Sequence, residues 1–60
     1  MSGEEIRELI KGEGFKLWQV AYKLGVSDFT FSRWLRKPFD EKQVSSVENA
    51  LKELKAEREV

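Results

Sequence analysis

The side chains best suited to specific chemistry are concentrated in one polar run, residues 28–36, with the sequence DFTFSRWLR. If this run is a helix, its apolar residues Phe31, Trp34 and Leu35 share the inward face. The outward face then carries Asp28, Phe29, Ser32 and Arg33. Arg can hold the O6 and N7 atoms of guanine, Asp can accept from the N4 amino group of cytosine, and Phe can contact a thymine methyl group. This combination of residue types is typical of a helix that reads DNA bases.

Catalytic and metal-binding chemistry is poorly represented in the rest of the chain. The 60 residues contain no Cys and no His, so disulfides, thiolate metal sites and the usual general base are excluded. We therefore expect no enzyme activity, no metal, no cofactor and no small-molecule ligand. No apolar run approaches the length of a membrane span and no signal-peptide pattern opens the chain, so we expect a cytoplasmic protein that does not contact membranes.

The elements that would position the outward face are two short helices joined by a sharp turn, within Leu17–Arg36. Gly25 follows the last apolar residue of the first helix, where a left-handed backbone favours glycine. Ser27 can cap the second helix through its hydroxyl group. This is the layout of a helix-turn-helix, whose second helix lies in the DNA major groove.

Charge is distributed unevenly although the net charge is zero. Residues 15–37 contain five basic residues and one acid, which gives +4, whereas residues 1–14 and 38–60 each carry −2. The positive charge therefore falls on the proposed helix-turn-helix, as expected of a small footprint for phosphates. A merely soluble, charge-rich surface is the alternative explanation.

The remaining segments complete a single all-α domain over residues 1–60. Ser2 and Glu5 form a capping-box pattern that starts the first of four helices. Asp40 and Gln43 form a second capping box, which starts a C-terminal helix over about residues 41–55. The charged tail, residues 56–60, is expected to fray.

These residues resemble the lambda-repressor-like (Cro/C1-type) helix-turn-helix proteins, in particular the short stand-alone regulators of phages and integrative elements of Gram-positive bacteria. The resemblance covers about residues 6–54. It is strongest in the run WQVAYKLGVSDFTFSRWLRK, in which the matching residues are Val20, Ala21, Leu24, Gly25, Val26, Ser27, Phe31 and Trp34. It implies a four-helix lambda-repressor-like domain that binds double-stranded DNA as a transcriptional regulator. Because the motif region has only five basic residues, we expect one copy to bind weakly and two copies to pair on the DNA.

The resemblance also implies which residues contact DNA. The start of the second motif helix would contact bases, through the four outward residues named above. Phosphate contacts would come from the start of the first motif helix, from the end of the second and from its flank. They are Lys16, Trp18, Thr30, Arg36 and Lys37.

Three aromatic residues could instead be part of the packing of the domain. Trp18 and Tyr22 lie four residues apart, and half-buried rings that cover the core are the more ordinary explanation for both. Phe29 either seeks a binding partner or packs on a neighbouring loop or on the first helix.

Three functions from different classes remain open. The first is a sequence-specific DNA-binding regulator. The second is an architectural or excision-type DNA-binding factor, or an antitoxin component. The third is a protein–protein interaction module on a helix-turn-helix scaffold.

Overall fold

Four α-helices make up the described part of the chain, residues 1–59 of a computed structural model, which contain no strand. In chain order they are α1 (Gly3–Gly12), α2 (Leu17–Leu24), α3 (Asp28–Trp34) and α4 (Glu41–Arg58). The all-α class expected from the sequence is confirmed. No helix in this part of the chain is both long enough and apolar enough to cross a membrane.

The helices enclose one hydrophobic core, with α2 at its centre, because α2 contacts each of the other three helices. Ala21 on α2 is 1% exposed, and its small side chain suits close approach of neighbouring helices. The buried apolar residues come from every helix and from the loops after α1 and α3. They are Ile6, Ile10, Phe15, Val20, Ala21, Phe31, Leu35, Phe39, Val47, Ala50, Leu51 and Leu54.

Side-chain caps begin three of the four helices, as the sequence predicts. Ser2 and Glu5 form the expected capping box at α1. The hydrogen bonds from Ser2 hold the pKa of the Glu5 carboxyl below its usual value. Asp40 and Gln43 form the second capping box at α4, since the Asp40 carboxylate accepts from the Gln43 N–H at 2.8 Å and Gln43 Oε1 accepts from the Asp40 N–H at 3.1 Å.

The turn between α2 and α3 depends on the backbone of Gly25. Its φ of 77° and ψ of 22° are left-handed, and its N–H donates to the carbonyls of Ala21 and Tyr22. The Val26 N–H also donates to the Ala21 carbonyl, at 3.1 Å. Nothing lies within 4 Å of the place where a Cβ would stand. Glycine is therefore favoured at this position by backbone conformation alone.

Two helix ends differ from the prediction. The second motif helix, expected to reach about Arg36, ends as α3 at Trp34. The N–H groups of Arg36 and Lys37 instead donate to carbonyls three residues back, those of Arg33 and Trp34. Pro38 disfavours helical backbone at the residue before it, so a tight turn replaces the last helical turn.

The C-terminal helix is longer than predicted, because the sequence analysis ended it at about residue 55. α4 continues to Arg58, whose guanidinium group lies 4.6 Å from the centre of the Phe15 ring and donates to the Glu13 carbonyl at 3.0 Å. Lys55 pairs with the Glu13 carboxylate at 2.8 Å. These contacts with the loop after α1 hold the last turns of α4. Val60, the last residue of the predicted tail, lies outside the described residues.

The start of α1 approaches the end of α3 at Gly3. This glycine is buried, and a Cβ placed on it would overlap the Leu35 carbonyl and lie 2.9 Å from the Leu35 Cα. The next backbone contact is made by Met1, whose carbonyl accepts from the Phe39 N–H at 2.6 Å. The two chain segments therefore touch through their backbones, with no room for a side chain between them.

Replacing Gly3 with alanine should destabilise the protein by about 1–3 kcal/mol, because the added methyl group must push α1 away from Leu35. Gly12→Ala is the matched control. Nothing lies within 4 Å of a Cβ at Gly12, so that change should be neutral or stabilising by up to about 1 kcal/mol. Urea unfolding of both variants measures the difference, and equal stabilities would contradict the close approach.

Candidate nucleic-acid interface

The face of α3 that was predicted to read bases is open to solvent. Asp28, Phe29, Ser32 and Arg33 are all exposed. On the opposite face Phe31 is fully buried, which fixes the rotation of the helix about its axis. The structure therefore brings the four predicted base-contact residues together on one accessible surface, which we call the α3 face.

Ser27 holds the start of this helix in place. Its Oγ accepts from the Thr30 N–H at 3.0 Å and donates to the Thr30 Oγ1 at 2.9 Å. A capping bond of this kind stabilises a helix by about 1 kcal/mol. Because α3 has only seven residues, its geometry depends strongly on this cap.

The five predicted phosphate-contact residues do not all share the α3 face. Lys16 and Trp18 lie at the start of α2, and Thr30 is partly buried on α3. Arg36 and Lys37 are exposed, but they lie in the turn after α3. The predicted continuation of the helix to Arg36 is thus replaced by a turn, which presents both cations beside the end of α3.

The start of α2 has a partner that the sequence analysis missed. Lys16 has no side-chain acceptor for the first turn of α2, as expected. Gln19 compensates for part of this, since its Oε1 accepts from the Lys16 N–H at 2.8 Å. The sequence signal for this bond is a Gln three residues after the N-cap residue, as in a capping box.

Ion pairing separates the basic residues into two groups. Lys23 on α2 pairs with Glu57 on α4, and this hydrogen bond raises the pKa of the lysine. Among the described residues, no carboxylate lies within 4 Å of the charged nitrogens of Lys16, Arg33, Arg36 or Lys37. Positive charge near α3 is therefore available to a ligand, whereas that of Lys23 is already compensated.

Three large aromatic side chains are unusually exposed. Phe29 is 74% exposed, so the alternative in which it packs on a loop or on α1 is wrong. Trp18 and Tyr22 are 57% and 77% exposed, so neither is the half-buried core cover that we expected. The buried residues of α2 are Val20 and Ala21, on its inward face.

An open groove of about 430 Å³ runs beside α3 towards the start of α4. It collects three of the predicted contact residues, Thr30, Arg33 and Lys37, with further residues that the sequence did not mark. Its complete lining is Thr30, Arg33, Trp34, Lys37, Pro38 and Gln43. Within residues 1–59, no group of three or more Asp or Glu side chains is placed to hold a metal ion.

Comparison of the chain with protein-family models, with curated proteins and with solved structures gave no match. The fold itself defines a small four-helix, all-α domain with an exposed face on α3.

Trp34 and its neighbour Arg33 should respond differently to truncation. The Trp34 ring is partly buried and lies 6.2 Å from the Phe31 ring and 6.3 Å from the Phe39 ring, centre to centre. We expect Trp34→Ala to cost about 2–4 kcal/mol, somewhat less than for a fully buried ring. Arg33→Ala should change stability by no more than about 0.5 kcal/mol. Thermal melts of both variants test whether Trp34 faces the core and Arg33 faces solvent. A larger loss of stability for Arg33→Ala than for Trp34→Ala would contradict this orientation of α3.

Proposed function

We propose that this protein binds double-stranded DNA in a sequence-specific manner, with α3 in the major groove, and acts as a transcriptional regulator. In this proposal the α2–turn–α3 unit is a helix-turn-helix and the domain is lambda-repressor-like. The observation that carries the proposal is the α3 face, on which four side chains suited to base recognition are exposed together. An α-helix fits the major groove, which is about 12 Å wide.

The charges support this proposal and predict how strongly DNA binding by one copy depends on salt. Arg33, Arg36 and Lys37, on α3 and in the turn after it, and Lys16, at the start of α2, have no acidic partner in the described part of the chain. If the three that are predicted to contact phosphates, Lys16, Arg36 and Lys37, do so, one copy of the protein gives a slope of about −3 in a plot of log affinity against log salt concentration. Such a shallow slope means weak binding by one copy, so we propose that two copies bind neighbouring half-sites.

The direct experiment is selection of binding sites from random duplexes, followed by a salt titration on the selected sequence. Enrichment of a sequence with two half-sites about one helical turn apart would support a pair of copies on DNA. Enrichment of a single unrepeated half-site would contradict the pairing. If no duplex binds at low salt, the DNA-binding proposal fails.

A second candidate function is a protein-interaction module on the same scaffold. The observation that favours it is the exposure of the Trp18 and Tyr22 rings, which lie one helical turn apart on α2. Exposed aromatic residues are enriched where proteins bind each other. Absence of DNA binding at every salt concentration would favour this candidate.

Arg33 and Arg36 should contribute to DNA binding in different ways. Arg33→Ala should lower the affinity for the selected site by about 1–3 kcal/mol and relax the preference at one base position. Arg36→Ala should weaken binding to all sequences alike and reduce the salt slope by about one unit.

Lys52→Ala is the matched control for this pair of variants. Lys52 is an exposed base on α4 whose removal changes the net charge equally, and it lies beside Leu9 and Glu13, away from α3. Its loss should leave base preference unchanged and the salt slope nearly so. Fluorescence anisotropy over a range of salt concentrations measures the DNA affinity of all three variants. If the three have the same affinity, base preference and salt slope, the roles assigned to Arg33 and Arg36 are wrong.

Phe29 should contribute by contacting a thymine methyl group. Replacing the contacted thymine with deoxyuridine deletes one methyl group, which should weaken binding of the native protein about four-fold. The Phe29→Ala variant should bind both duplexes equally, because its contact is already lost. Scanning each thymine of the selected site with both proteins gives the measurement. A methyl effect of the same size in both proteins would contradict this role of Phe29.

A further inference from the structure

The groove between α3 and α4 has an unusual polarity, because its two neutral polar side chains have their oxygen atoms engaged by internal hydrogen bonds. Thr30 Oγ1 accepts from the Ser27 hydroxyl at 2.9 Å. Gln43 Oε1 accepts from the Asp40 N–H at 3.1 Å. Each of these two oxygens therefore already accepts one hydrogen bond from within the protein.

The groove also offers a ligand several hydrogen-bond donors. A hydroxyl group whose oxygen already accepts one bond can still donate its own hydrogen, and the Gln43 amide nitrogen carries two N–H groups. Arg33 and Lys37 add two cations without acidic partners in residues 1–59. None of the six lining residues is acidic, and the Asp40 carboxylate is directed to the Gln43 backbone N–H.

Trp34 and Pro38 complete the lining with apolar surface. The Trp34 side chain is partly buried against Phe31 and Phe39, so it is held in place from behind. An apolar wall lowers the local dielectric constant, and this strengthens the attraction between the two cations and an anion. The groove thus combines fixed neutral donors with positive charge.

We propose that this groove is a phosphate site that takes one phosphodiester group of the DNA backbone, with Gln43 on α4 as a direct donor. Phosphate offers only acceptor oxygens and negative charge, which is the complement of the lining. The inference deepens the proposed DNA binding and rests on it. It adds a contact from α4, and in it Thr30 and Lys37 bind the same phosphate group.

The capping box makes a precise test available through Gln43→Glu. Glutamate at this position can still accept from the Asp40 N–H, so the cap of α4 and the melting temperature should be preserved. The change nevertheless replaces the amide donor with a carboxylate oxygen. We expect DNA affinity to fall at least about ten-fold for every sequence, with base preference unchanged.

Asn49→Glu is the matched control, because it adds the same charge at an exposed position of α4 outside the groove. It should weaken DNA binding much less than Gln43→Glu. If the two variants bind DNA equally well while the native protein binds the selected site, the groove proposal is overturned and the DNA-binding proposal stands. If the native protein binds no duplex, the DNA-binding proposal fails instead.

Two further measurements identify the source of the phosphate. A single neutral methylphosphonate placed along the selected site should weaken the native protein at one position and, at that position, remove most of the difference between Gln43→Glu and the native protein. Inorganic phosphate is the second probe, and its binding to the native protein and to Gln43→Glu is followed through the backbone amide NMR signals of Thr30 and Lys37, which line the groove. A site for free phosphate would instead lose inorganic phosphate on Gln43→Glu with no change in DNA affinity, and this result would overturn the assignment to DNA.

Discussion

The burial of Phe31 is the interaction on which the rest of this small structure depends. Its side chain is completely enclosed, and its ring lies near those of Trp34 and Phe39, which come from α3 itself and from the loop before α4. Because α3 has only seven residues, this one anchor determines which side of the helix faces the core. The outward presentation of the α3 face, and one wall of the groove beside it, both follow from that orientation.

The same anchor explains why the backbone after α3 is so constrained. Leu35 and Phe39 are buried on either side of the turn that contains Arg36, Lys37 and Pro38. Gly3 packs against Leu35 from α1, and the Met1 carbonyl accepts from Phe39. The two exposed cations of the turn are therefore carried by a segment that is held at both ends, which limits the entropy lost when they bind an anion.

Features that depend on neighbours in the sequence could be predicted from it. The caps of Ser2, Ser27 and Asp40 and the left-handed Gly25 are set by residues within four positions, so their patterns are visible in the sequence. The inward residue Phe31 follows from helical periodicity for the same reason.

Features that depend on distant residues were not predictable in this way. The last turns of α4 are held by Glu13 and Phe15, more than 40 positions earlier, so local composition suggested only a charged, frayed end. The compensation of Lys23 by Glu57 and the role of Gly3 against Leu35 have the same origin. The place of Gln43 in the groove becomes apparent only once the fold brings the start of α4 near α3.

The placement of the two tryptophans gives the protein two optical reporters in different environments. Trp34 is partly buried beside Phe31 and Phe39, so its emission follows the packing of the core. Trp18 is 57% exposed at the start of α2, where a soluble quencher such as iodide reaches it. A single Trp18→Phe substitution would leave a fluorophore that senses unfolding, and Trp34→Phe would leave one that senses whatever comes to lie against α2.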